Sequence, residues 1–518
     1  MNSPAGADTL SDLIRSHAAR DPAHAALRQD GRELSYGALD ALMDRVAAAL
    51  QRDGLAPQDA IAICAGTSLE YAAVFLGALR AGIAVAPLAP SCTPSEIADM
   101  ATDAGARLLF LDESVAQALA PVATRLKARC LALDGSAAGA PLRHWLAADG
   151  TAPVAIAVQP HWAFNIIYSS GTTGVPKGIV QSHAMRGGHV QRAAIYGYGR
   201  DTVTLLATPL YSNTTLVCFF PALSAGGTAV LMGKFDAAAY LALAERHHAT
   251  HTMLVPVQYQ RIMALPEFGR YDLQSFRYKF CTSAPFRAAL KADVLARWPG
   301  GLVEFYGLTE GGGTCILVAH EHPGKLHTVG KPAQGHDVRL IDEQGREVPP
   351  GALGEVVGRS PIMMNGYHNQ PERTREAEWY SPAGERFIRS GDLGRFDADG
   401  FLVLTDRRKD MIITGGYNVY PSDLETVMRG HAEVADVAVV GVPSDQWGET
   451  PVAFVVLKPG ARASARALLE WTNSRVNRIQ RLADLQLAAN LPRSAIGKVL
   501  KRELRDAYES VPASRPPV

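Results

Sequence analysis

A run of ten residues carries the clearest chemical signal in the sequence. It consists of Ser169, Ser170, Gly171, Thr172, Thr173, Gly174, Val175, Pro176, Lys177 and Gly178. Glycines let backbone N–H groups converge on an anion, hydroxyls add further donors, and a lysine brings a positive charge. Because an apolar segment precedes the run, we predict a loop that follows a strand and binds a polyphosphate. A flexible surface turn is the alternative for any shorter run of this kind.

The P-loop of kinases and ATPases is a second explanation for such a composition. That loop requires Gly-Lys followed by Ser or Thr. Here Pro176 precedes the lysine and Gly178 follows it. The hydroxyl that binds magnesium in a P-loop is therefore missing, which excludes this class.

Three later segments also combine glycine with charged or hydroxyl side chains. They are Tyr306-Gly307-Leu308-Thr309-Glu310, Ser390-Gly391-Asp392-Leu393-Gly394 and Pro492-Arg493-Ser494-Ala495-Ile496-Gly497-Lys498. Each alone is more typical of an ordinary turn or a surface lysine. In this order after the phosphate loop, they resemble the signatures of the adenylate-forming superfamily, which includes acyl-CoA synthetases, 4-coumarate–CoA ligases, luciferases and peptide-synthetase adenylation domains. The resemblance covers nearly the whole chain.

The resemblance implies an ATP site with bound Mg²⁺. Its ATP-binding set is Ser169, Ser170, Gly171, Thr172, Thr173, Ser283, Ala284, Pro285, Tyr306, Gly307, Asp392 and Arg407. Tyr306 would stack on adenine, while Asp392 and Arg407 would bind the ribose. Ser283 departs from the family pattern, because many relatives have glycine there.

The implied catalytic set is Lys177, Thr309, Glu310 and Lys498. Thr309 would contact the α-phosphate and Glu310 would hold the metal. A carboxylate that attacks a phosphate brings two anions together, so a metal and a lysine are needed to neutralise charge. Lys498 would bridge the carboxylate and the α-phosphate, which requires its domain to close over the site.

The second half of the reaction needs an acceptor. Lys409 matches the family hinge position about which the small domain turns. Gly415 and Gly416 resemble the loop that lines the pantetheine tunnel in CoA ligases, although a tight turn explains two adjacent glycines equally well. The prediction is an AMP-forming carboxylate–CoA ligase that uses ATP, Mg²⁺ and coenzyme A. A stand-alone enzyme that loads a carrier-protein thiol, a luciferase-like oxygenase and an inactive binding protein are the alternatives.

The acyl pocket is the least determined part of the site. By resemblance it includes Tyr211, Ser212, Asn213, Gly311 and Gly312. Glycines in place of side chains lead us to expect space for an acid bulkier than acetate. No lysine or arginine is evident at these positions, which argues against a dicarboxylate. We therefore expect a hydrophobic monocarboxylic acid, either aryl or phenylpropanoid, or medium-chain aliphatic.

The elements that must position these residues follow from hydrophobic periodicity. Short apolar runs, such as 60–64 and 108–111, alternate with helical stretches, such as 39–50 and 69–80, which predicts α/β architecture with buried parallel sheet. Short strands between turns follow residue 330 and indicate a small β-rich subdomain. Five consecutive charges at 406–410 mark a boundary between a large N-terminal domain (1–408) of layered mixed and parallel sheets and a small mobile α+β domain (409–518). In the latter, a capping box of Ser422 and Glu425 is predicted to open a helix, strands are predicted at 434–442 and 452–457, and a second helix is predicted from about 463 to 479.

Composition limits the partners and the compartment. The 518 residues include 51 basic and 51 acidic ones, so there is no global reason to expect nucleic acid or anionic membrane as a partner. Six cysteines without a Cys-x-x-Cys pair indicate reduced thiols. The N-terminus lacks the pattern of a secretory signal. We expect a cytoplasmic enzyme of small-molecule substrates, with a homodimer left open.

Overall fold

The computed structural model describes residues 8–169, 177–407, 410–414, 417–444, 446–494 and 497–510. The described residues divide into two compact units. Unit 1 is Met1–Val338 with Gly358–Ile388, and unit 2 is Arg339–Val357 with Arg389–Val518. The functional boundary expected near residue 408 stays a prediction.

Helices and strands alternate along most of the chain. The helices are α1 (Leu10–Arg20), α2 (Tyr36–Arg52), α3 (Leu69–Arg80), α4 (Pro94–Asp103), α5 (Glu113–Leu119), α6 (Leu142–Trp145), α7 (His183–Ala193), α8 (Asn213–Ser224), α9 (Ala237–Arg246), α10 (Pro256–Met263), α11 (Ala288–Arg297), α12 (Pro371–Glu376), α13 (Pro421–Arg429), α14 (Ala465–Asn473) and α15 (Lys501–Glu509). The strands are β1 (Ala25–Gln29), β2 (Arg32–Ser35), β3 (Ala60–Cys64), β4 (Ala84–Pro87), β5 (Leu108–Leu111), β6 (Arg129–Ala132), β7 (Ala140–Pro141), β8 (Ala163–Ser169), β9 (Lys177–Ser182), β10 (Val203–Leu206), β11 (Thr228–Leu231), β12 (His251–Leu254), β13 (Tyr278–Cys281), β14 (Gly301–Tyr306), β15 (Cys315–Val318), β16 (Lys331–Pro332), β17 (Asp337–Ile341), β18 (Gly354–Arg359), β19 (Gly366–Tyr367), β20 (Glu378–Tyr380), β21 (Arg386–Phe396), β22 (Leu402–Arg407), β23 (Ile412–Thr414), β24 (Tyr417–Val419), β25 (Val434–Ser444), β26 (Gly448–Leu457) and β27 (Asp484–Leu487).

Two large sheets form the framework of unit 1. The first has the strand order β16-β15-β14-β13-β12-β10-β11-β1-β2, and its strands from β14 to β1 are parallel. The second has the order β19-β9-β8-β4-β3-β5-β6-β7, and it is parallel from β8 to β7. The predicted α/β class is confirmed. Such sheets bind ligands at the carboxyl ends of their strands.

The core of unit 1 explains why the apolar runs become central strands. All five residues of β3 are buried, as expected for a strand covered on both faces. The rings of Phe75 in α3, Phe164 in β8 and Phe220 in α8 pack together, with centroids 5.1–6.2 Å apart. These contacts join α8 to the second sheet.

Unit 2 contains a smaller sheet with the order β24-β23-β26-β25, and β27 pairs with β26. Its long β25–β26 hairpin joins two predicted strands, whereas β27 was not predicted. The helix expected over about 463–479 ends earlier, since α14 stops at Asn473. In the same unit, β21 and β22 are antiparallel partners.

The predicted capping box at the start of α13 is wrong. The helix begins at Pro421, which fits the first position because it has no N–H to leave unpaired. Ser422 therefore lies inside the first turn, and its N–H donates to the Asp406 carboxylate at 2.9 Å. Glu425 accepts instead from the N–H of Val439. Asp406, which is distant in the sequence, thus supplies the side-chain acceptor for the first turn of α13 that Ser422 was predicted to supply.

Within the described ranges, no helix combines the length and the apolar character needed to cross a membrane.

Candidate functional site

The predicted phosphate loop connects two paired strands. Ser169 ends β8 and Lys177 begins β9, and the two residues are antiparallel partners. Ser170, Gly171, Thr172 and Thr173 lie outside the described residues, so their contact with phosphate stays a prediction. Gly178 belongs to β9 rather than to the loop. A side chain there would approach Ile166 to 2.9 Å and the Tyr168 ring to 3.1 Å, which explains the glycine.

Below this loop, Lys177, Tyr367 and Glu310 form a cluster. The Lys177 ammonium lies 5.0 Å from the centroid of the Tyr367 ring, within cation–π range. The Tyr367 hydroxyl donates to Glu310 Oε1 at 2.8 Å. Burial, followed by the negative charge of Glu310, raises the pKa of Tyr367 well above its ordinary value. Tyr367 is therefore a stable donor that holds the carboxylate.

This arrangement fits a magnesium ion. Among the described residues, Tyr367 is the hydrogen-bond donor to the Glu310 side chain, and it occupies one carboxylate oxygen. Carboxylate oxygens are preferred Mg²⁺ ligands, and Mg²⁺ usually takes one or two carboxylates together with substrate phosphates. Glu310 can supply such a ligand, and the cluster of three residues keeps a cation and an anion in defined positions.

A buried chain of polar side chains fixes the segment that contains Thr309. Gln181 in β9 donates to the Thr309 carbonyl oxygen at 2.7 Å and accepts from Asn165 at 3.0 Å. Asn165 in turn accepts from Nε of Arg186 at 2.9 Å. Asn165, Gln181 and Arg186 are all buried. Because buried polar groups are strongly held when paired, this chain ties the Thr309-Glu310 backbone to the hairpin.

The carboxyl ends of neighbouring strands bring the predicted adenine and acyl residues together. Tyr306 is the last residue of β14, and Gly307, which follows it, is exposed to solvent. Ser283 follows β13, with Ala284 and Pro285 behind it. The hydroxyls of Ser283 and Thr214 are 2.5 Å apart, which joins the adenine segment to the first turn of α8. These residues therefore share one edge of the first sheet.

The predicted acyl residues have mixed roles. Ser212 is buried, and its hydroxyl caps α8 by accepting from the N–H of Thr214. Tyr211 is half-buried. Asn213 leaves a buried Oδ1 without a hydrogen-bond partner among the described residues.

The expectation that the glycine run widens the pocket is wrong. A side chain at Gly311 would lie 2.3 Å from the Ile362 carbonyl oxygen, and one at Gly313 would lie 2.5 Å from Val338. Gly311 and Gly312 also have positive φ values of 96° and 28°. The chain's own backbone fills this space, so glycine is required by close packing.

Ser283 adopts φ of 81°, a left-handed conformation that costs a residue with a Cβ atom. We expect Ser283→Gly to be more stable than Ser283→Ala by about 1 kcal/mol. Both variants lose the hydroxyl contact with Thr214, and only alanine keeps the strained Cβ. Urea denaturation of the two variants measures the difference. An alanine variant that is the more stable one would contradict the assignment of strain.

Unit 2 carries the predicted ribose residues. Asp392 is buried, and its strand partner across β21 and β22 is Arg407. Ser390 Oγ accepts from the Asp392 N–H at 3.0 Å. Lys409, Gly415 and Gly416 lie outside the described residues, so the hinge and the tunnel stay predictions.

Lys498 belongs to a turn whose backbone is held by hydrogen bonds with Ser494 and Arg493. Its N–H donates to Ser494 Oγ at 3.2 Å, and its carbonyl oxygen accepts from the Ser494 N–H at 2.9 Å. Arg493 donates to the Gly497 carbonyl oxygen at 2.6 Å and forms an ion pair with Asp436. Arg493 therefore positions the backbone next to the predicted catalytic lysine.

Three positioning residues were not identified from the sequence: Tyr367, Gln181 and Arg493. Tyr367 lies in Asn365-Gly366-Tyr367-His368, a glycine–aromatic turn that gave no chemical signal by itself. Arg493 belongs to the segment from Pro492 to Lys498. A second positive charge close to Lys498 was the feature of the sequence that could have identified it.

Comparisons with known proteins identify the family of the chain. The family model described as AMP-binding enzyme matches residues 14–368, and that of the AMP-binding enzyme C-terminal domain matches residues 423–498. The chain is 32% identical to the fatty acid–[acyl-carrier-protein] ligase ScoC of Streptomyces coeruleorubidus, covering 96% of each chain. It is 33% identical to a feruloyl-CoA synthase of an Amycolatopsis species, covering 95% of this chain and 97% of the other.

A solved structure shares the whole fold. The crystal structure of ATP-bound MatB from Rhodopseudomonas palustris matches with a TM-score of 0.85 and 29% identity, covering 97% of this chain and 99% of that one. Family match, motif order and strand-end geometry agree. The chain belongs to the AMP-binding enzymes of the adenylate-forming superfamily and is an AMP-forming acid–thiol ligase.

Proposed function

We propose that this enzyme is an ATP-dependent carboxylate–CoA ligase for a hydrophobic monocarboxylic acid, either aryl or phenylpropanoid, or medium-chain aliphatic. In the first step the carboxylate oxygen attacks the α-phosphorus of ATP, the bond between the α- and β-phosphates breaks, and pyrophosphate leaves. In the second step the sulfur of CoA attacks the acyl carbon, AMP leaves, and the thiol proton is released.

The cluster of Lys177, Tyr367 and Glu310 is the observation that carries this proposal. It combines a cation at the end of the phosphate loop with a carboxylate whose orientation Tyr367 fixes. A metal ion held there would reduce the charge repulsion between the carboxylate and the α-phosphate. Lys177 would bind the phosphate chain, and the Gln181 contact would keep Thr309 facing the reacting group.

The choice of acid is supported by the surroundings of α8. Phe220 of this helix packs against Phe164 of β8 in a buried aromatic cluster. The named relatives are a fatty-acid ligase and a feruloyl-CoA synthase. Activity with acetate, octanoate, benzoate and cinnamate tests the proposal, and best turnover of acetate would contradict it.

The acceptor is the second open element, because one relative is named for an acyl-carrier protein and another for CoA. AMP formation is measured with no acceptor, with CoA, and with a phosphopantetheinylated carrier protein. Stimulation by CoA together with thioester formation is the expected result. An adenylate that transfers to the carrier protein and never to CoA would replace the proposed acceptor.

Substitution of Gly416 tests the tunnel. We expect Gly416→Trp to slow thioester formation at least about tenfold, because the indole would block the predicted tunnel for the pantetheine chain of CoA. Adenylation should change by less than about threefold. Gly324→Trp is the matched control, since a Cβ at Gly324 meets nothing within 4 Å. Pyrophosphate release and thioester formation report the two steps separately. An unchanged second step in Gly416→Trp would remove this residue from the tunnel.

A further inference from the structure

Helix α7 carries a buried cation, Arg186, whose two terminal nitrogens take no part in the polar chain that leads to Thr309. Arg186 is 2% exposed. Its guanidinium lies 5.9 Å from the Phe164 ring centroid and 5.5 Å from that of Phe220. Nε donates to Asn165, but Nη1 and Nη2 have no hydrogen-bond partner among the described residues. Two donors of a buried charged group are thus left unsatisfied.

A second unsatisfied group lies on the same face of α7. His183 precedes Arg186 by three residues, a spacing that places two side chains side by side on a helix. Its Nε2 is buried without a partner among the described residues, and its ring contacts Phe164 with centroids 5.0 Å apart. Burial lowers the pKa of His183 to about 4, so the ring is neutral at pH 7.

Leaving these groups unpaired is unfavourable. A buried charge is tolerated when it is paired and hydrogen-bonded, and an unpaired buried donor loses its hydration without compensation. The faces of two aromatic rings offset part of this cost. Burial lowers the pKa of Arg186 to about 9, so the guanidinium remains charged at pH 7. Its two terminal NH2 groups, Nη1 and Nη2, form a planar fork that suits an oxygen acceptor.

Arg186 lies among the elements that carry the candidate acyl pocket. Phe220, beneath the guanidinium, follows Asn213 by seven residues in α8. At 1.5 Å per residue this is about 10 Å along one face of the helix. On α7, the neighbouring Met185 comes within 3.1 Å of the position that a Cβ at Gly311 would occupy. Phe220, over whose ring Arg186 lies, is therefore about two helical turns from the first turn of α8.

We propose that Arg186, together with His183, forms the distal end of the acyl pocket and binds an oxygen acceptor of the substrate that is remote from its reacting carboxylate. The acceptor is a phenolic, keto or second carboxylate oxygen. This inference rests on the proposed function and replaces its plain hydrocarbon acid with an oxygenated one. If the acceptor is a second carboxylate, a dicarboxylic acid also replaces the monocarboxylic acid proposed above. No arginine stands at the pocket positions predicted from the sequence, because Arg186 reaches α8 from a different segment, helix α7.

The test compares matched acids on the wild-type enzyme. Acid-dependent pyrophosphate release is measured with 4-hydroxycinnamate against cinnamate, and with octanedioate against octanoate. We expect the oxygenated member of at least one pair to have the higher kcat/KM by about tenfold or more. The pair that shows the preference distinguishes a phenolic oxygen from a second carboxylate. No preference, or a preference for the hydrocarbon member in both pairs, overturns this inference alone. Release of pyrophosphate with none of the four acids overturns the proposed function.

Two variants assign the preference to the guanidinium. Arg186→Met removes the donors at similar volume. Because it also releases the chain through Asn165 and Gln181, kcat/KM should fall for both acids, but the kcat/KM ratio of the preferred pair should fall at least about tenfold. Arg186→Lys keeps the positive charge but lacks the two planar NH2 groups, so it should retain part of the kcat/KM preference for the oxygenated acid. Arg297→Met is the control, because Arg297 also lies over a phenylalanine ring, that of Phe268 at 5.1 Å, and is half exposed beside Asp293. A parallel loss with both acids in Arg186→Met and Arg186→Lys would show a structural cation and overturn the assignment.

Discussion

Lys498→Ala is expected to slow acid-dependent pyrophosphate release by about 10²–10³-fold. Thioester formation from supplied acyl-adenylate is expected to fall by less than about threefold. The reason is that one ammonium between the carboxylate and the α-phosphate favours the crowded transition state of the first step. The second step has no such pair of anions. Separate assays of pyrophosphate release and of thioester formation from synthetic adenylate measure the two effects.

The control for this variant lies three residues further along. Lys501→Ala removes the same charge from the same segment, but Lys501 forms an ion pair with Glu425 at 3.0 Å. Its first step should stay near the wild-type rate at a temperature where the variant is folded. Equal losses in both half-reactions of Lys498→Ala would contradict the division of roles between the steps.

Glu310→Gln is expected to have the next largest effect. The amide keeps the size of the side chain and can still accept from Tyr367, but it removes the negative charge that would hold Mg²⁺. Adenylation should fall by about 10²–10³-fold, and the Mg²⁺ concentration for half-maximal rate should rise. A magnesium titration of the initial rate of pyrophosphate release gives both quantities.

Tyr367→Phe is the partner of this experiment. It leaves the carboxylate charge in place and removes the hydroxyl that donates to Oε1. Loss of one hydrogen bond to a charged group should cost about 1.5–3 kcal/mol at most, so a smaller rate loss and a smaller shift in the magnesium requirement are expected. If Glu310→Gln shows the wild-type magnesium dependence, Glu310 does not hold the metal.

The secondary structure of unit 1 could be read from local patterns. The apolar run at 60–64 and the helical stretch at 69–80 coincide with β3 and α3. Side-chain period is a local property, and these segments are buried on both sides, so no tertiary contact opposes the pattern. Caps are less secure. The capping box predicted from Ser422 and Glu425 does not form, because Pro421 occupies the first helical position and Asp406 accepts the hydrogen bond from the Ser422 N–H.

The types of the candidate catalytic residues were likewise determined by the sequence. Glycine, hydroxyl and lysine at 169–178, a glutamate at 310 and a lysine at 498 are chemical identities that no fold alters. Their family order was sufficient to predict carboxylate adenylation. Glycine was harder to interpret, since the same residue gives open space or allows close packing. Only the position of the Ile362 carbonyl oxygen showed that Gly311 belongs to the second kind.

The partners of those residues were decided by the tertiary structure alone. Tyr367 is 57 residues from Glu310 in the chain. Tyr367 lies beside Lys177 because β19 pairs with β9 in a register that sets Tyr367 opposite Ile179, two residues from Lys177 and on the same side of the strand. Glu310 is held next to β19 because its carbonyl oxygen accepts from the Met364 N–H at 2.8 Å. Arg186 reaches Phe220 through the packing of α7 against α8 in the same way. Composition and period act over a few residues, whereas strand register and helix packing are fixed by burial of the whole core. The sequence therefore determined which groups are predicted to perform the chemistry, and the fold determined which groups hold them in place.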